Sequence, residues 1–196
     1  MLAEVDESWL SRRYYGGDLS PDAERLLHLA AANYADDVAA EGFLAQAAEL
    51  APNHRAVDLG FYKFHFYKHN LTAALGYAER MIVHALKALH LHNRDWRTLD
   101  ETDAAFAEIE PAPRFLLFSL TARGYLLLRL GDMDDARQTL GKVAELDPKD
   151  RFGARRLLAV AAKAGRDEDD EDDSADKSAL LANAAKPAPS LCEATA

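Results

Sequence analysis

Two histidines, His65 and His69, stand four residues apart in the sequence, which places them one turn apart on a helix. Imidazole nitrogens at this spacing bind metal ions such as zinc, and His92 follows as a further ligand. The chain has no His-Glu-x-x-His motif, however, and its single cysteine, Cys192, excludes a cysteine pair. A histidine cluster that handles a metal or cofactor is therefore the alternative to the interpretation developed below.

Residues 61–69, FYKFHFYKH, alternate aromatic rings with cations. Rings interleaved with basic residues stack on nucleic-acid bases in some proteins. The formal net charge of the chain is −10, and no broad basic patch accompanies the rings. A central helix whose rings fill the space between neighbouring helices is the preferred interpretation, and we expect no nucleic-acid partner.

The sequence lacks the motifs of the common enzyme classes. It has no phosphate-binding glycine loop and no nucleophile elbow, and its Asp, Glu and His residues are scattered. We therefore expect no catalysis and no bound cofactor.

The first residues, MLAEVDESWL, do not have the pattern of a signal peptide. The longest apolar run lies within residues 115–130; it is too short for a bilayer and contains Arg123 and Arg129. The sequence thus predicts a cytoplasmic protein without a membrane segment.

The elements that position these side chains follow from the spacing of the apolar residues. The composition, 49% hydrophobic and 29% charged, is ordinary for a soluble domain. Few prolines or glycines interrupt the periodic segments, and runs of β-branched residues are absent. We therefore predict an all-α fold.

The clearest pattern is in residues 120–148, which predict a helix, a turn at Gly131-Asp132 and a second helix. Gly124 stands inside the first helix, where glycine costs about 1 kcal/mol relative to alanine. It predicts a neighbouring helix that crosses too closely for a side chain. The spaced positions are Leu120, Gly124, Leu127, Ala136, Leu140 and Pro148.

This pattern resembles the tetratricopeptide repeat (TPR) family. One departure is Arg123, where the family usually carries leucine; we expect its stem to lie along the packing surface and its charged head to reach solvent. The resemblance implies a right-handed α-solenoid of about three helix-turn-helix repeats. Ala74 follows Ala40 by 34 residues, which is one repeat period. Ala136 follows Ala74 by 62 residues, which is one period plus an insertion of 28.

The resulting organisation has three parts, and the helical pairs should turn at Ala35-Asp36, His69-Asn70 and Gly131-Asp132. The parts are an N-terminal arm (1–19), a repeat domain (20–165) and a disordered acidic tail (166–196). The repeat domain contains repeats at about 21–54, 55–88 and 117–150, an insertion at 89–116 and a capping helix at 151–164.

The resemblance implies a non-catalytic module, an adaptor, scaffold or assembly factor, that binds a peptide or helix of another protein in a concave groove. The residues expected to line the groove are Lys63, Phe66 and Tyr67 of the second repeat and Tyr125, Leu128 and Arg129 of the third. Aromatic and arginine side chains dominate the energetics of protein interfaces.

Three segments lie outside the repeats, and two of them have alternative interpretations. Trp96 either covers a helix edge or anchors a partner, and a short helix is expected around residues 103–109. In the capping helix, Leu157 should be buried while Arg151 and Arg155 face water. The seven consecutive acids at 167–173 are solubilising, an acidic mimic of nucleic acid, or a docking segment for a basic partner.

Overall fold

The computed structural model describes residues 18–108 and 110–164. Within them, every regular element is helical and no strand is present, which confirms the all-α prediction. The elements are α1 (Pro21–Ala32), α2 (Asp37–Leu50), α3 (Arg55–Tyr67), α4 (Leu71–Ala88), a one-turn 3-10 helix (Trp96–Thr98), α5 (Pro111–Leu130), α6 (Met133–Leu146) and α7 (Ala154–Ala164). None of these helices combines the length and the apolar character that crossing a bilayer requires.

The three predicted turns fall between consecutive helices, and the side chain of the second residue of each turn caps the next helix. The carboxylate of Asp36 accepts a hydrogen bond from the backbone N–H of Ala39 at 3.0 Å, at the start of α2. Asp132 caps α6 in the same way through the N–H of Asp135, at 3.2 Å. These bonds satisfy donors that the first turn of a helix leaves without an intrahelical partner.

The described residues divide into two compact units, with the boundary between Tyr77 and Ala78, inside α4. In the first unit, α1 packs against α2 and α2 against α3. Their contact surface is made of small and aliphatic side chains, with Leu27, Leu44 and Val57 each at most 6% exposed. The ring of Phe61 stacks on Tyr77 of α4, with centroids 4.8 Å apart.

In the second unit, α5 packs against α6, and α7 packs against both. The α5–α6 contact is close: a Cβ atom on Gly124 would lie 2.6 Å from Cγ of Leu140. This confirms the sequence-based explanation of that glycine. Leu157 of α7 is 3% exposed, as predicted.

Residues 89–110 differ from the prediction. The helix expected around 103–109 is absent from its described residues; residues 101–108 form turns, and Ile109 lies outside the described part. Local side-chain bonds close these turns: Asp100 accepts from both the N–H and the hydroxyl of Thr102, at 2.8 and 2.6 Å. Short polar side chains that bond their own backbone compete with helix formation.

Two helix starts also differ from the predicted boundaries, whereas α4 ends at Ala88, as the second repeat was predicted to. α5 begins at Pro111 inside the expected insertion, and α7 begins at Ala154. Proline is favourable in the first turn of a helix, since its missing N–H has no partner to lose there. The predicted arm, apart from residues 18 and 19, and the predicted tail lie outside the described residues.

Candidate functional site

The ring-rich stretch of α3 is divided by the helix into a buried and an exposed side. Phe61, Tyr62 and Phe64 are at most 9% exposed, which fits the interpretation that the rings fill interhelical space. Of the predicted binding residues, Lys63 is exposed and Phe66 is half-buried. Tyr67 is 47% exposed, unusually high for an aromatic side chain.

Tyr67 belongs to an exposed cluster that sequence reasoning did not find. Its ring meets Tyr34 edge to face, with centroids 6.4 Å apart, and Tyr34 is itself 38% exposed. The ammonium group of Lys68 lies 4.2 Å from the centre of the Tyr34 ring and forms an ion pair with Asp37. We call Tyr34, Tyr67 and Lys68 the tyrosine patch. It combines apolar ring faces with a fixed cation, as protein-binding surfaces do.

On α5, the three predicted residues have different roles. Tyr125 is only 7% exposed, and its hydroxyl oxygen accepts a hydrogen bond from Arg129 Nη1 at 3.0 Å. The Arg129 guanidinium also lies 5.9 Å from the centre of that ring. Arg129 is exposed and Leu128 is half-buried. The buried Tyr125 ring therefore contacts the Arg129 side chain, and Arg129 is the most exposed of the three residues.

Trp96 is 7% exposed, so its burial fits the interpretation in which it covers a helix edge. The guanidinium groups of Arg97 and Arg123 lie 4.4 and 5.5 Å from its ring. Both distances are within the range of cation–π attraction.

The prediction for Arg123 is wrong, because its charged head is buried and the residue is 6% exposed. The guanidinium donates to the hydroxyl of Thr139 and, at 2.6 Å, to the carboxylate of Asp135; it also pairs with Glu79 at 3.5 Å. Hydrogen bonds from Arg123 hold the pKa of the Asp135 carboxyl below its usual value. The burial is tolerated because the charge is paired and its donors are used.

The three histidines of the metal alternative differ in their surroundings. His65 stacks on Phe61 and Tyr77, with centroids 6.1 and 5.5 Å away, and burial lowers its pKa, partly opposed by the nearby Glu41. His69 and His92 are exposed. Among the described residues, no group of three or more His, Cys, Asp or Glu side chains is placed to hold a metal ion.

The fold defines a class: in its described residues, the chain is an all-α protein whose consecutive helices pack in pairs. The chain belongs to the same family as the "Uncharacterized 19.8 kDa protein in nifW 5'region" of Azotobacter chroococcum mcd 1. The two are 36% identical over 164 residues, which cover 83% of this chain and 89% of that protein. No protein-family model and no solved structure matches the chain.

Proposed function

We propose that this protein is a non-catalytic interaction module of the TPR-like type, which binds a peptide or helix of another protein as an adaptor, scaffold or assembly factor. The observation that carries the proposal is the common register of three helices. α2, α4 and α6 begin at residues 37, 71 and 133, with the same 34- and 62-residue spacings as the three alanines of the sequence pattern.

The capping residues share this register. Asp36, Asn70 and Asp132 each stand one residue before their helix, and each side chain accepts from the backbone N–H three residues on. α2 and α6 also end alike, at capping residues Ala51 and Asp147 with similar backbone angles (φ −138°, ψ 69° and φ −117°, ψ 78°). Equivalent starts and ends support a repeated structural unit.

Burial repeats in the same register. In each of the three helices, the pattern alanine and the residues four and seven positions later are at most 2% exposed. These residues are Ala40, Leu44 and Ala47 in α2, Ala74, Ala78 and Met81 in α4, and Ala136, Leu140 and Val143 in α6. Stacked helical repeats require such a stripe, because each hairpin buries one face against its neighbour.

The resemblance to TPR proteins implies that the first helices of the hairpins carry the binding residues. Two surfaces on α3 and α5 suit this role: the tyrosine patch, and Arg129 supported by Tyr125. Both present a cation beside an aromatic ring. They fit a partner segment with hydrophobic anchors and an acidic side chain.

The experiment is capture of partners from the native cell with tagged wild type and charge-reversed variants, followed by mass spectrometry. Lys68→Glu tests the tyrosine patch and Arg129→Glu the second surface, and their combination should lose the partner. Arg25→Glu with Arg137→Glu, two exposed cations outside these surfaces, should retain it. A loss in only one single variant assigns binding to that surface. Equal capture by the wild type and the folded Lys68→Glu/Arg129→Glu variant would refute the placement of the site.

A further inference from the structure

Residues 94–108, here called the strap, run along α6 in the same direction as the helix. Near its start, Arg97 Nε donates to the amide oxygen of Gln138 at 2.9 Å. Further on, Lys142 Nζ donates to the carbonyl oxygen of Leu99 at 2.8 Å. At its end, Arg151 donates to the carbonyl oxygens of residues 106, 107 and 108, at 3.1 Å for Glu108 and 3.3 Å for Ala107.

Three apolar side chains of the strap are buried: Trp96 at 7%, Leu99 at 0% and Phe106 at 2% exposure. A protein surface binds an extended peptide in this way, by donating hydrogen bonds to its main-chain carbonyls and by burying apolar side chains at intervals along it. Arg151 and Arg155 are both exposed, as expected, but their guanidinium groups also bind main-chain carbonyls. Arg155 donates to the carbonyl oxygen of Ala144 at 2.8 Å, near the C-terminal end of α6.

The face of α6 under the strap differs from a core face. The α6 side chains that pair or bond with the strap, Asp135, Gln138 and Lys142, are all polar. The apolar stripe of the same helix, which includes Leu140, points to α5 instead. Lifting the strap would therefore uncover a helix face that water solvates readily, and the cost would come mainly from the strap's own three anchors.

The strap also holds its own shape. The guanidinium of Arg94 binds both carboxylate oxygens of Asp103, at 2.8 and 3.1 Å. The Asp103 carboxylate also accepts the backbone N–H of Asp100 at 2.9 Å. A segment closed by its own bonds loses less conformational entropy when it docks, so it is suited to act as a preformed ligand.

We propose that the strap is an intrachain ligand: it occupies in cis a peptide-binding surface formed by α6 and by Arg151 in the connection to α7, and this surface accepts an extended segment with anchors spaced as Trp96, Leu99 and Phe106. The binding chemistry is apolar burial plus donation from Lys142 and Arg151 to main-chain carbonyls. This site is separate from the tyrosine patch and from Arg129, so it adds a second, self-occupied surface to the proposed function.

Opening of the strap is measured by thiol labelling. Leu99→Cys and Leu120→Cys, both at positions with 0% exposure, are compared in a Cys192→Ser background with a chromogenic disulfide reagent. Leu99→Cys should react at least tenfold faster than Leu120→Cys, because strap release exposes the first thiol while only unfolding exposes the second. Equal labelling rates, or a slower rate for Leu99→Cys, would overturn the proposal.

Occupancy in trans is measured with a fluorescent peptide of residues 94–108 by anisotropy. A Trp96→Ala/Phe106→Ala protein, whose own strap lacks two anchors, should bind the peptide at least tenfold more tightly than wild type. Adding Lys142→Ala and Arg151→Ala should remove the gain, and adding Arg137→Ala, an exposed α6 control, should leave it unchanged. A folded strap variant that binds no better than wild type would contradict the proposal. If that variant does not fold, the thiol comparison decides.

Discussion

At the scale of single residues, two positions on α5 determine how closely and how firmly α6 is held. Gly124 permits contact with Leu140, and Arg123 crosses to α6 through hydrogen bonds to Thr139 and Asp135. The Gly124 contact depends on the space between the helices, and the Arg123 contact depends on a buried charge. Different substitutions therefore test them.

Gly124→Ala should destabilise the protein, because the added methyl group meets Leu140 at 2.6 Å. Overpacking of this kind costs about 1–3 kcal/mol, against a gain of about 1 kcal/mol in helix propensity. Gly141→Ala on α6 is the matched control, since no atom lies within 4 Å of its added Cβ. In urea unfolding, Gly124→Ala should be less stable than Gly141→Ala by about 1–3 kcal/mol. Equal stabilities would show that Leu140 yields without cost.

Arg123→Leu should destabilise the protein although leucine is the usual TPR residue at this place. The substitution leaves the Asp135 carboxylate, whose side chain is only 33% exposed, without its main donor. We expect a loss of about 1–3 kcal/mol in urea unfolding, reduced from the cost at a fully buried pair by the exposure of Asp135. Arg137→Leu is the control, because its partner Asp134 is 99% exposed, and it should change stability by less than about 0.5 kcal/mol. Equal losses in the two variants would contradict this account of the buried head.

At the scale of the elements, the helix starts are the best-specified features of the chain. A short polar residue before an apolar stripe determines a start locally, so the turns before α2, α4 and α6 were predictable. The strap was not predictable by these means. Its bonds to Gln138, Lys142 and Arg151 join residues more than 40 positions apart and involve main-chain carbonyls, which leave no periodic trace.

Asp36→Ala and Asp132→Ala should each lower stability, because each removes the side-chain acceptor from the first turn of its helix. The expected loss is about 1 kcal/mol per cap, measured by urea unfolding. Asp36→Asn and Asp132→Asn are the controls, since asparagine caps almost as well as aspartate. A loss with asparagine as large as with alanine would assign the effect to the charge rather than to the cap.

At the scale of the whole molecule, the sequence predicted the helical class and the register of the second helices, whereas the surfaces depended on the fold. Tyr67 was found because the ring-rich stretch is conspicuous. Tyr34 was missed because it lies in the turn after α1, and its partners, Tyr67 and Lys68, come from the end of α3. Composition could neither decide between the two interpretations of Trp96 nor show that Tyr125 is buried, since the neighbours that cover a ring are distant in the chain.

The pH dependence of stability is a property of the whole chain to which His65 makes a defined contribution. Burial lowers the pKa of His65 from the model-compound value of 6.5, so the unfolded state binds a proton at a higher pH than the native state does. Stability should therefore fall as the pH drops below 6.5, and this contribution should level off below the native-state pKa. Well above 6.5 the imidazole is neutral in both states and its contribution is constant.

His65→Phe should remove this part of the acid sensitivity while keeping a ring between Phe61 and Tyr77. The measurement is urea unfolding of wild type and variant at several pH values from 8 to 5. The stability difference should stay constant above about pH 6.5 and move in favour of the variant below it. His69→Phe, at an exposed position on the same stretch, is the control for adding a ring and losing a histidine. A difference between wild type and His65→Phe that does not change with pH would show that desolvation of His65 plays no part in the stability of the native state.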